Sequence, residues 1–264
     1  MPRFKLVIEY AGTRYSGWQI QNNARTVQGE IDRAIREASG RKEFELYGSG
    51  RTDAGVHALA QVAHLELYTS LTAELLRRKI NDALPADIHV RTIDKVAHRF
   101  HARHDAISRS YVYQISRRRT AFAKPFVWWI REPLDVEAMR RAAEAFVGRN
   151  DFAAFSDDDP DEKSTIVVLE QITIVEAGAL VLIRVQGSHF LWKMVRRIVG
   201  VLAAVGRREI APDSAGTLLD PDARSHGINP AAVSAPSAGL FLEHVRYPGD
   251  PRPGPLRPLV AIDS

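Results

Sequence analysis

A glycine-rich loop between two alternating runs is the feature that most constrains the fold of this chain. The runs 44–47 and 60–67 each alternate apolar and polar residues, which is typical of half-buried β-strands. The loop between them, 48–58, carries three glycines, which tolerate a positive φ and let a ligand or another backbone approach closely. The segment therefore predicts two strands and a loop that presents Asp53 and Arg51. An ordinary hairpin in which Asp53 forms an Asx turn is the alternative interpretation.

Strand and helix patterns recur in a similar order in two parts of the chain. In the first part, strands are predicted at 4–10, 44–47, 60–67 and 88–96, and helices at 27–39 and 72–83. In the second part, strands are predicted at 107–115, 127–130, 165–175, 180–187 and 240–247, and helices at 136–147 and 190–205. Strands in hairpin order among helices predict an α+β fold with a mainly antiparallel sheet, divided near residue 105.

The composition limits the possible chemistry and the partners. The 264 residues include no cysteine, which excludes disulfides, thiolate metal sites and a thiol nucleophile. The first residues enter a strand directly and no apolar run approaches about 18 residues, so no signal peptide, no membrane span and a cytoplasmic location are expected.

Arginine strongly outnumbers lysine, with 29 arginines and 7 lysines in a chain of net charge +4. The arginines cluster at 99–119 and at 196–208, and their planar guanidinium groups suit phosphate binding. A nucleic-acid partner is therefore indicated, although a GC-rich coding bias explains arginine enrichment as a general feature.

Three further segments were interpreted from their composition. The acidic stretch 156–163 is expected to be a solvated, mobile loop, and the proline-rich tail 249–264 is expected to lack fixed structure. Histidines 98, 101 and 104 are spaced by three on a segment read as extended, which scatters their side chains, and neighbouring arginines repel a cation. No metal site is therefore expected there, and phosphate contact is favoured.

Eight consecutive residues, Arg51–Ala58 (RTDAGVHA), resemble the active-site signature of the tRNA pseudouridine synthase A family. Further matching pieces follow in the same order and spacing, at 10–19, 100–103, 109–113, 194–200 and 239–242. The resemblance covers residues 3–248. It implies the pseudouridine synthase fold, in which two ferredoxin-like halves, here 1–105 and 106–248, form a central sheet with helices on one side and an RNA-binding cleft.

The resemblance also implies an activity. Family members isomerise uridine to pseudouridine at positions 38, 39 and 40 of the tRNA anticodon stem-loop. They need no cofactor or metal and act as homodimers, so tRNA and a second copy of the chain are the expected partners.

The same resemblance assigns catalytic roles to three residues. Asp53 corresponds to the nucleophilic aspartate, Arg196 to the arginine that pairs with it, and Tyr111 to the tyrosine that stacks on uracil and removes the C5 proton. A carboxylate suits attack at an anomeric carbon, but attack at C6, attack at C1′ and proton removal at C2′ all fit an aspartate. Phosphate binding or solvation remains the alternative for Arg196, and core packing remains the alternative for Tyr111 and is favoured for Tyr113.

Substrate-binding roles fall on six further residues. Arg51 corresponds to the residue that holds the flipped nucleotide, with a structural ion pair as its alternative, and the others are expected to contact phosphate or to line the uracil pocket: Arg103, Arg207, Arg208, Leu240 and Leu242. Phe241 stands where the family commonly has tyrosine, and little consequence is expected.

Two other functions are alternatives to isomerisation of uridine. A non-catalytic RNA-binding module is disfavoured because the residues that match the family's active site are all present. A carboxylate-based hydrolase of nucleosides or glycosides is disfavoured because no second catalytic carboxylate is evident. Before residue 165 the family's basic and hydroxylated stretch is reduced to Lys163-Ser164-Thr165, which leaves RNA contacts from that loop open.

Overall fold

The structure is a computed structural model that describes residues 1–158, 164–220 and 229–262. Contacts between Cα atoms divide the chain into two units. Unit 1 comprises Met1–Ile107 and Phe241–Arg252, and unit 2 comprises Ser108–Leu240 and Pro253–Ser264. The sequence placed the boundary near 105 and assigned the last strand to the second half, whereas nearly all of that strand belongs to unit 1.

The strands within the described residues are β1 (Arg3–Tyr10), β2 (Glu45–Gly48), β3 (His57–Glu66), β4 (Ile88–Val96), β5 (Ser108–Ser116), β6 (Trp128–Trp129), β7 (Gly148–Asp151), β8 (Ile166–Ala177), β9 (Leu180–Gly187) and β10 (Leu240–Arg246). The α-helices are α1 (Val27–Ser39), α2 (Ala73–Ala83), α3 (Val136–Glu144) and α4 (Met194–Gly206). The α+β class predicted from the sequence is confirmed. No helix in the described ranges is long and apolar enough to cross a membrane.

Unit 1 is built on β1, which pairs antiparallel with β3 on one side and with β4 on the other. The other edge of β3 carries β2 in antiparallel pairing and β10 in parallel pairing. Burial alternates along β1, so one face of the sheet is apolar, and α1 packs against α2, which packs against β4. The α1 helix begins where Thr26 accepts a hydrogen bond from the Gly29 amide and ends at Gly40, whose φ of 67° is left-handed.

The strands of unit 2 pair in the order β6, β5, β9, β8 and β7, and among these described strands only the β5–β6 pair is parallel. Helix α3 packs against α4 and β8, and almost every residue of α4 is buried. The proline-rich tail differs from the sequence expectation because part of it is held on this unit. The Leu259 amide donates to Gln114 at 2.7 Å, and Arg184 donates to the Gly254 carbonyl at 2.9 Å. The tail also contributes three apolar residues that pack on buried side chains of β9. These tail residues are Leu256, Val260 and Ile262.

The predicted bounds of α1, β4 and β9 are confirmed, but several other ends are shifted. Helix α4 begins at Met194 rather than at 190, because Lys193 has a left-handed φ of 63° and interrupts the helix. Helix α3 ends at Glu144 rather than at 147, and Gly148 begins β7 with a φ of 103°. Asp135 caps the start of α3 by accepting a hydrogen bond from the Ala138 amide.

Candidate active site

The loop that carries Asp53 is fixed through the residue before it. The Thr52 carbonyl accepts from the Trp18 amide at 3.0 Å, and its hydroxyl lies 2.8 Å from the Tyr10 hydroxyl. A Cβ on Gly17 would come within 2.6 Å of the Thr52 carbonyl oxygen, so glycine allows this close approach. Asp53 is half-buried at the resulting position.

The second half of the loop is held by the same neighbouring segment. The Gly55 amide donates to the Tyr15 carbonyl at 3.2 Å, and the Gly12 amide donates to His57 Nδ1 at 3.0 Å. The Val56 amide closes a turn onto the Asp53 carbonyl at 3.2 Å. The two sequence motifs at 10–19 and 51–58 are therefore brought together within unit 1.

A buried glutamine that the sequence analysis did not identify fixes the start of the loop. Gln61 lies on β3 and is fully buried. Its amide oxygen accepts from the Ser49 hydroxyl at 2.8 Å, and its amide nitrogen donates to the Gly50 carbonyl at 3.0 Å. An apolar run interrupted by glutamine was the only sequence signal. Arg51 follows directly and is exposed.

The segment that supports the loop has its own electrostatic anchor. The Tyr15 hydroxyl donates to Asp87, and Arg14 also donates to that carboxylate, at 2.6 Å. Burial raises the pKa of Tyr15, and its hydrogen bond to Asp87 raises it further. Although burial alone raises the pKa of Asp87, the bonds from Tyr15 and Arg14 bring it below its usual value. The carboxylate is thus charged and holds the supporting segment in place.

Two tyrosines of β5 occupy different environments in unit 2. Tyr111 is half-buried and meets the Phe190 ring edge-on, with centroids 5.1 Å apart. Tyr113 is completely buried, and its hydroxyl donates to the Pro236 carbonyl at 2.7 Å. Burial raises the pKa of Tyr113 well above its usual value. The packing role favoured for Tyr113 from the sequence is confirmed.

Arg196 lies in the first turn of α4, and both its side chain and its backbone carbonyl are hydrogen-bonded to Ala235. Its Nε donates to the Ala235 carbonyl at 2.7 Å, and its own carbonyl accepts from the Ala235 amide at 3.0 Å. Because Nε is held in this way, the orientation of the guanidinium plane is fixed. A side chain fixed like this is suited to a defined partner rather than to a solvated surface.

The beginning of the acidic stretch is held on the same helix. Asp157 pairs with the buried Arg197 and, at 2.6 Å, with Lys193. Hydrogen bonds from Lys193 and then Arg197 hold the pKa of Asp157 below its usual value. Asp158 accepts from the Trp192 amide at 2.9 Å. The expectation of a solvated, mobile loop is wrong for 156–158, and 159–163 lie outside the described residues.

The predicted uracil-pocket leucines are both buried, Leu240 at 5% and Leu242 at 2% exposure. In unit 1, Leu242 lies opposite Ala58 in the β10–β3 register. Phe241 lies opposite His57 and stacks on its ring with centroids 4.7 Å apart. Phenylalanine at 241 therefore has a packing partner within the signature itself.

The arginines predicted to bind phosphate differ in their surroundings. Arg207 forms two hydrogen bonds with Glu209, at 2.8 and 2.9 Å, and its side chain is only 16% exposed. Arg208 is 82% exposed and lies 3.5 Å from Asp135. Arg103 is exposed and follows His101 in unit 1. Arg208 is therefore better placed than Arg207 to contact RNA.

The histidines singled out from the sequence form local hydrogen bonds. His101 Nδ1 accepts from the amides of Arg103 and His104, at 3.1 and 3.3 Å. Among the described residues, no group of three or more His, Cys, Asp or Glu side chains is arranged to hold a metal ion.

Comparison with known proteins defines the class. The family described as tRNA pseudouridine synthase matches residues 6–105 and 142–248, which include Asp53 and Arg196. The match makes this α+β protein an isomerase, of the class that converts uridine to pseudouridine in RNA.

The chain belongs to the tRNA pseudouridine synthase family. It is 37% identical over 250 residues to tRNA pseudouridine synthase A 2 of Bacillus anthracis, covering 94% of this chain and 100% of that protein. It is 39% identical, with the same coverage, to tRNA pseudouridine synthase A of Geobacter sp. (strain M21). Among solved structures, the archaeal box H/ACA sRNP Nop10-Cbf5 complex matches with a TM-score of 0.35 and 10% identity, over 89% of this chain and 59% of that one. This similarity is too low to indicate a shared function.

Proposed function

We propose that this protein isomerises uridines 38, 39 and 40 of the tRNA anticodon stem-loop, with Asp53 as the nucleophile and without a cofactor. The observation that carries the proposal is the fixed position of Asp53. The residues on both sides of it are hydrogen-bonded to the 10–18 segment, so its half-buried carboxylate is presented on a rigid loop. The family and the names of the relatives support tRNA as the substrate.

The reaction exchanges one bond of uracil for another. The bond from N1 to C1′ breaks, the base turns, a bond from C5 to C1′ forms, and the C5 proton leaves while N1 gains one. The electron pair of the Asp53 carboxylate starts this sequence, by attack at C6 or C1′ or by removal of the C2′ proton. A rigid loop contributes because it holds the carboxylate near the reacting atom before chemistry begins.

Two further side chains have roles in the proposed reaction. Tyr111 stacks on the released uracil, and its oxygen takes up the C5 proton as the hydroxyl gives its own proton to solvent, roles that suit a half-buried ring in contact with Phe190. Arg196 supplies the positive charge that keeps the nucleophilic carboxylate ionised, since burial alone favours the neutral acid. The bond from Arg196 Nε to the Ala235 carbonyl supports this role because it fixes the guanidinium.

The remaining assignments concern substrate binding and assembly. Arg51 holds the flipped nucleotide, Arg103 and Arg208 bind phosphates, and Leu240 and Leu242 line the uracil pocket. We assign Arg207 a smaller share of binding because its guanidinium is already paired with Glu209. We further propose that the enzyme works as a cytoplasmic homodimer.

The test is tritium release from a tRNA transcript that carries 5-tritiated uridine, because formation of the C5 bond expels that label as water. Wild-type protein should release it, Asp53→Asn should not, and the exposed Asp82→Asn on α2 should behave as wild type. Transcripts with cytidine at positions 38–40 should release no label. Turnover by Asp53→Asn would refute the nucleophile, and formation of free uracil would indicate a hydrolase instead.

A further inference from the structure

An aromatic stack lies where β2 leads into the Asp53 loop. Tyr47 is directly opposite His64 in the β2–β3 register, and the two rings stack with centroids 5.3 Å apart and planes 23° apart. His101 packs against His64 at 4.7 Å, and His104 packs against His101 at 4.2 Å. The four rings form one continuous group within unit 1, which we call the Tyr47 stack.

The stack is buried at its base and open at its end. His64 is 2% exposed, whereas Tyr47 is 51% exposed. A large aromatic side chain in water costs free energy unless a partner covers it, and here a buried ring holds it in a fixed orientation. The exposed ring is therefore a rigid platform rather than a mobile side chain.

The imidazole rings of His64 and His101 are uncharged. His64 Nδ1 accepts from the Ala102 amide at 3.1 Å, and His101 Nδ1 accepts from two amides, so these nitrogens carry no proton. Burial lowers the pKa of His64 to about 4 and also lowers the pKa of His101. The two imidazole rings that support Tyr47 thus carry no charge.

Two arginines flank His101 on the same segment of the chain. The backbone amide of Arg103 donates a hydrogen bond to the His101 ring. Arg99 lies two residues before His101 in the sequence and is exposed. The nearest acid along this segment, Asp105, is engaged by the His101 amide at 2.9 Å. Aromatic faces bordered by arginine are the combination that binds single-stranded nucleic acid, since bases stack on the rings and phosphates pair with the cations.

The platform is close in sequence to the catalytic loop. Tyr47 precedes Asp53 by six residues, which sets an upper limit of about 20 Å between their Cα atoms. That span corresponds to a few nucleotides. Ser49 and Gly50, which lie between them, are held by Gln61, so the two positions are fixed relative to each other.

We propose that Tyr47 is a stacking site for an unpaired nucleobase of the RNA substrate, a few nucleotides from the uridine that is isomerised. The proposal rests on the proposed function and adds a contact that determines which RNA is accepted. A duplex offers no unpaired base at this distance, whereas a stem-loop does.

The experiment compares Tyr47→Ala, Tyr47→Phe and Tyr68→Ala. Tyr68 is the matched control because it is 60% exposed in the same unit and lies beyond the end of β3. Loss of one stacked base is expected to weaken binding of an anticodon stem-loop about five- to a hundred-fold in Tyr47→Ala. Tyr47→Phe keeps the ring and should bind within about two-fold of wild type, as should Tyr68→Ala.

Two further measurements separate stacking from loss of structure. A fully paired RNA of equal length should bind all variants equally, because it reports phosphate contacts alone. A 2-aminopurine placed at successive loop positions should be quenched by wild type at one position, and Tyr47→Ala should lose that quenching while it keeps the wild-type circular dichroism spectrum.

Unchanged stem-loop binding by Tyr47→Ala would overturn the proposal, and the exposed ring of Tyr47 would then be assigned to contact with a protein. Equal loss of stem-loop and duplex binding would overturn it as well. Wild-type protein that releases no tritium from tRNA would instead refute the proposed function, so the two failures are distinguishable.

Discussion

Replacement of His64 by asparagine should make the free energy of unfolding of this protein less dependent on pH below neutrality. His64 is buried and neutral, and its Nδ1 accepts from the Ala102 amide. The asparagine side-chain oxygen reaches nearly the same place as Nδ1 and accepts the same bond, but asparagine does not titrate. The variant therefore removes a proton-binding site while it keeps the hydrogen bond.

The magnitude follows from the two pKa values of the histidine. Burial, then the charge of Arg3 and the neighbouring His101, lower the pKa of His64 from 6.5 to about 4 in the folded protein. A depressed folded-state pKa gives stability that is present above the unfolded value and is lost as the pH falls towards the folded value. Between pH 7 and pH 5, the loss from this one group is about 2 kcal/mol.

Chemical unfolding at pH 7 and pH 5 measures this difference. Wild type should lose about 2 kcal/mol more unfolding free energy over the interval than His64→Asn does, even though the variant is less stable at pH 7 because it packs less apolar surface. His89→Asn, which removes an exposed histidine from β4, should keep the wild-type pH dependence. Equal pH dependence in wild type and His64→Asn would refute the account of a buried neutral imidazole.

Three other changes test the remaining contacts. Asp157→Asn should lower the free energy of unfolding by about 1–3 kcal/mol at pH 7, because it leaves a buried arginine without its anion, and urea unfolding that matches wild type would contradict this. Gly48→Ala should cost about 1–3 kcal/mol, since the added Cβ would lie 2.6 Å from Trp18 Nε1; Gly50→Ala, whose Cβ meets nothing within 4 Å, is its control in thermal unfolding. Tyr111→Phe should bind tRNA within about two-fold of wild type and lose single-turnover tritium release, and an active variant would limit the tyrosine to stacking.

Local signals explain which parts of the fold were predictable. Helix α1 has a threonine cap at its start and a left-handed glycine at its end, and its bounds were predicted correctly. Helix α4 was predicted to begin four residues too early because the apolar residues 190–192 continue its pattern, whereas Lys193, which pairs with Asp157, has a left-handed φ that such a pattern does not indicate. The tail was misjudged because prolines dominate its composition, although apolar residues between them have a partner in β9.

The candidate site depends on a different kind of sequence signal. Asp53 was identified from a run of eight residues, but nothing local to that run indicates what holds it. Gln61 and Thr52 fix the loop through contacts with residues 11 to 42 positions away, and such contacts depend on strand pairing. The sequence therefore indicates Asp53 as the proposed reactive group, and the structure identifies the residues that hold its loop.

The division of unit 1 into two separate stretches of chain has a consequence for biosynthesis. A ribosome releases residues 1–107 first, but β3 lacks its β10 partner at His57 and Ala58 until residues 241–252 emerge. The main part of unit 2, residues 108–240, is therefore synthesised before unit 1, which carries the proposed nucleophile Asp53, has all of its strands. The Asp53 loop adjoins a β-pairing that forms only after residues 108–240 have been synthesised, so the nascent chain holds the proposed nucleophile in its final surroundings only once β10 has emerged.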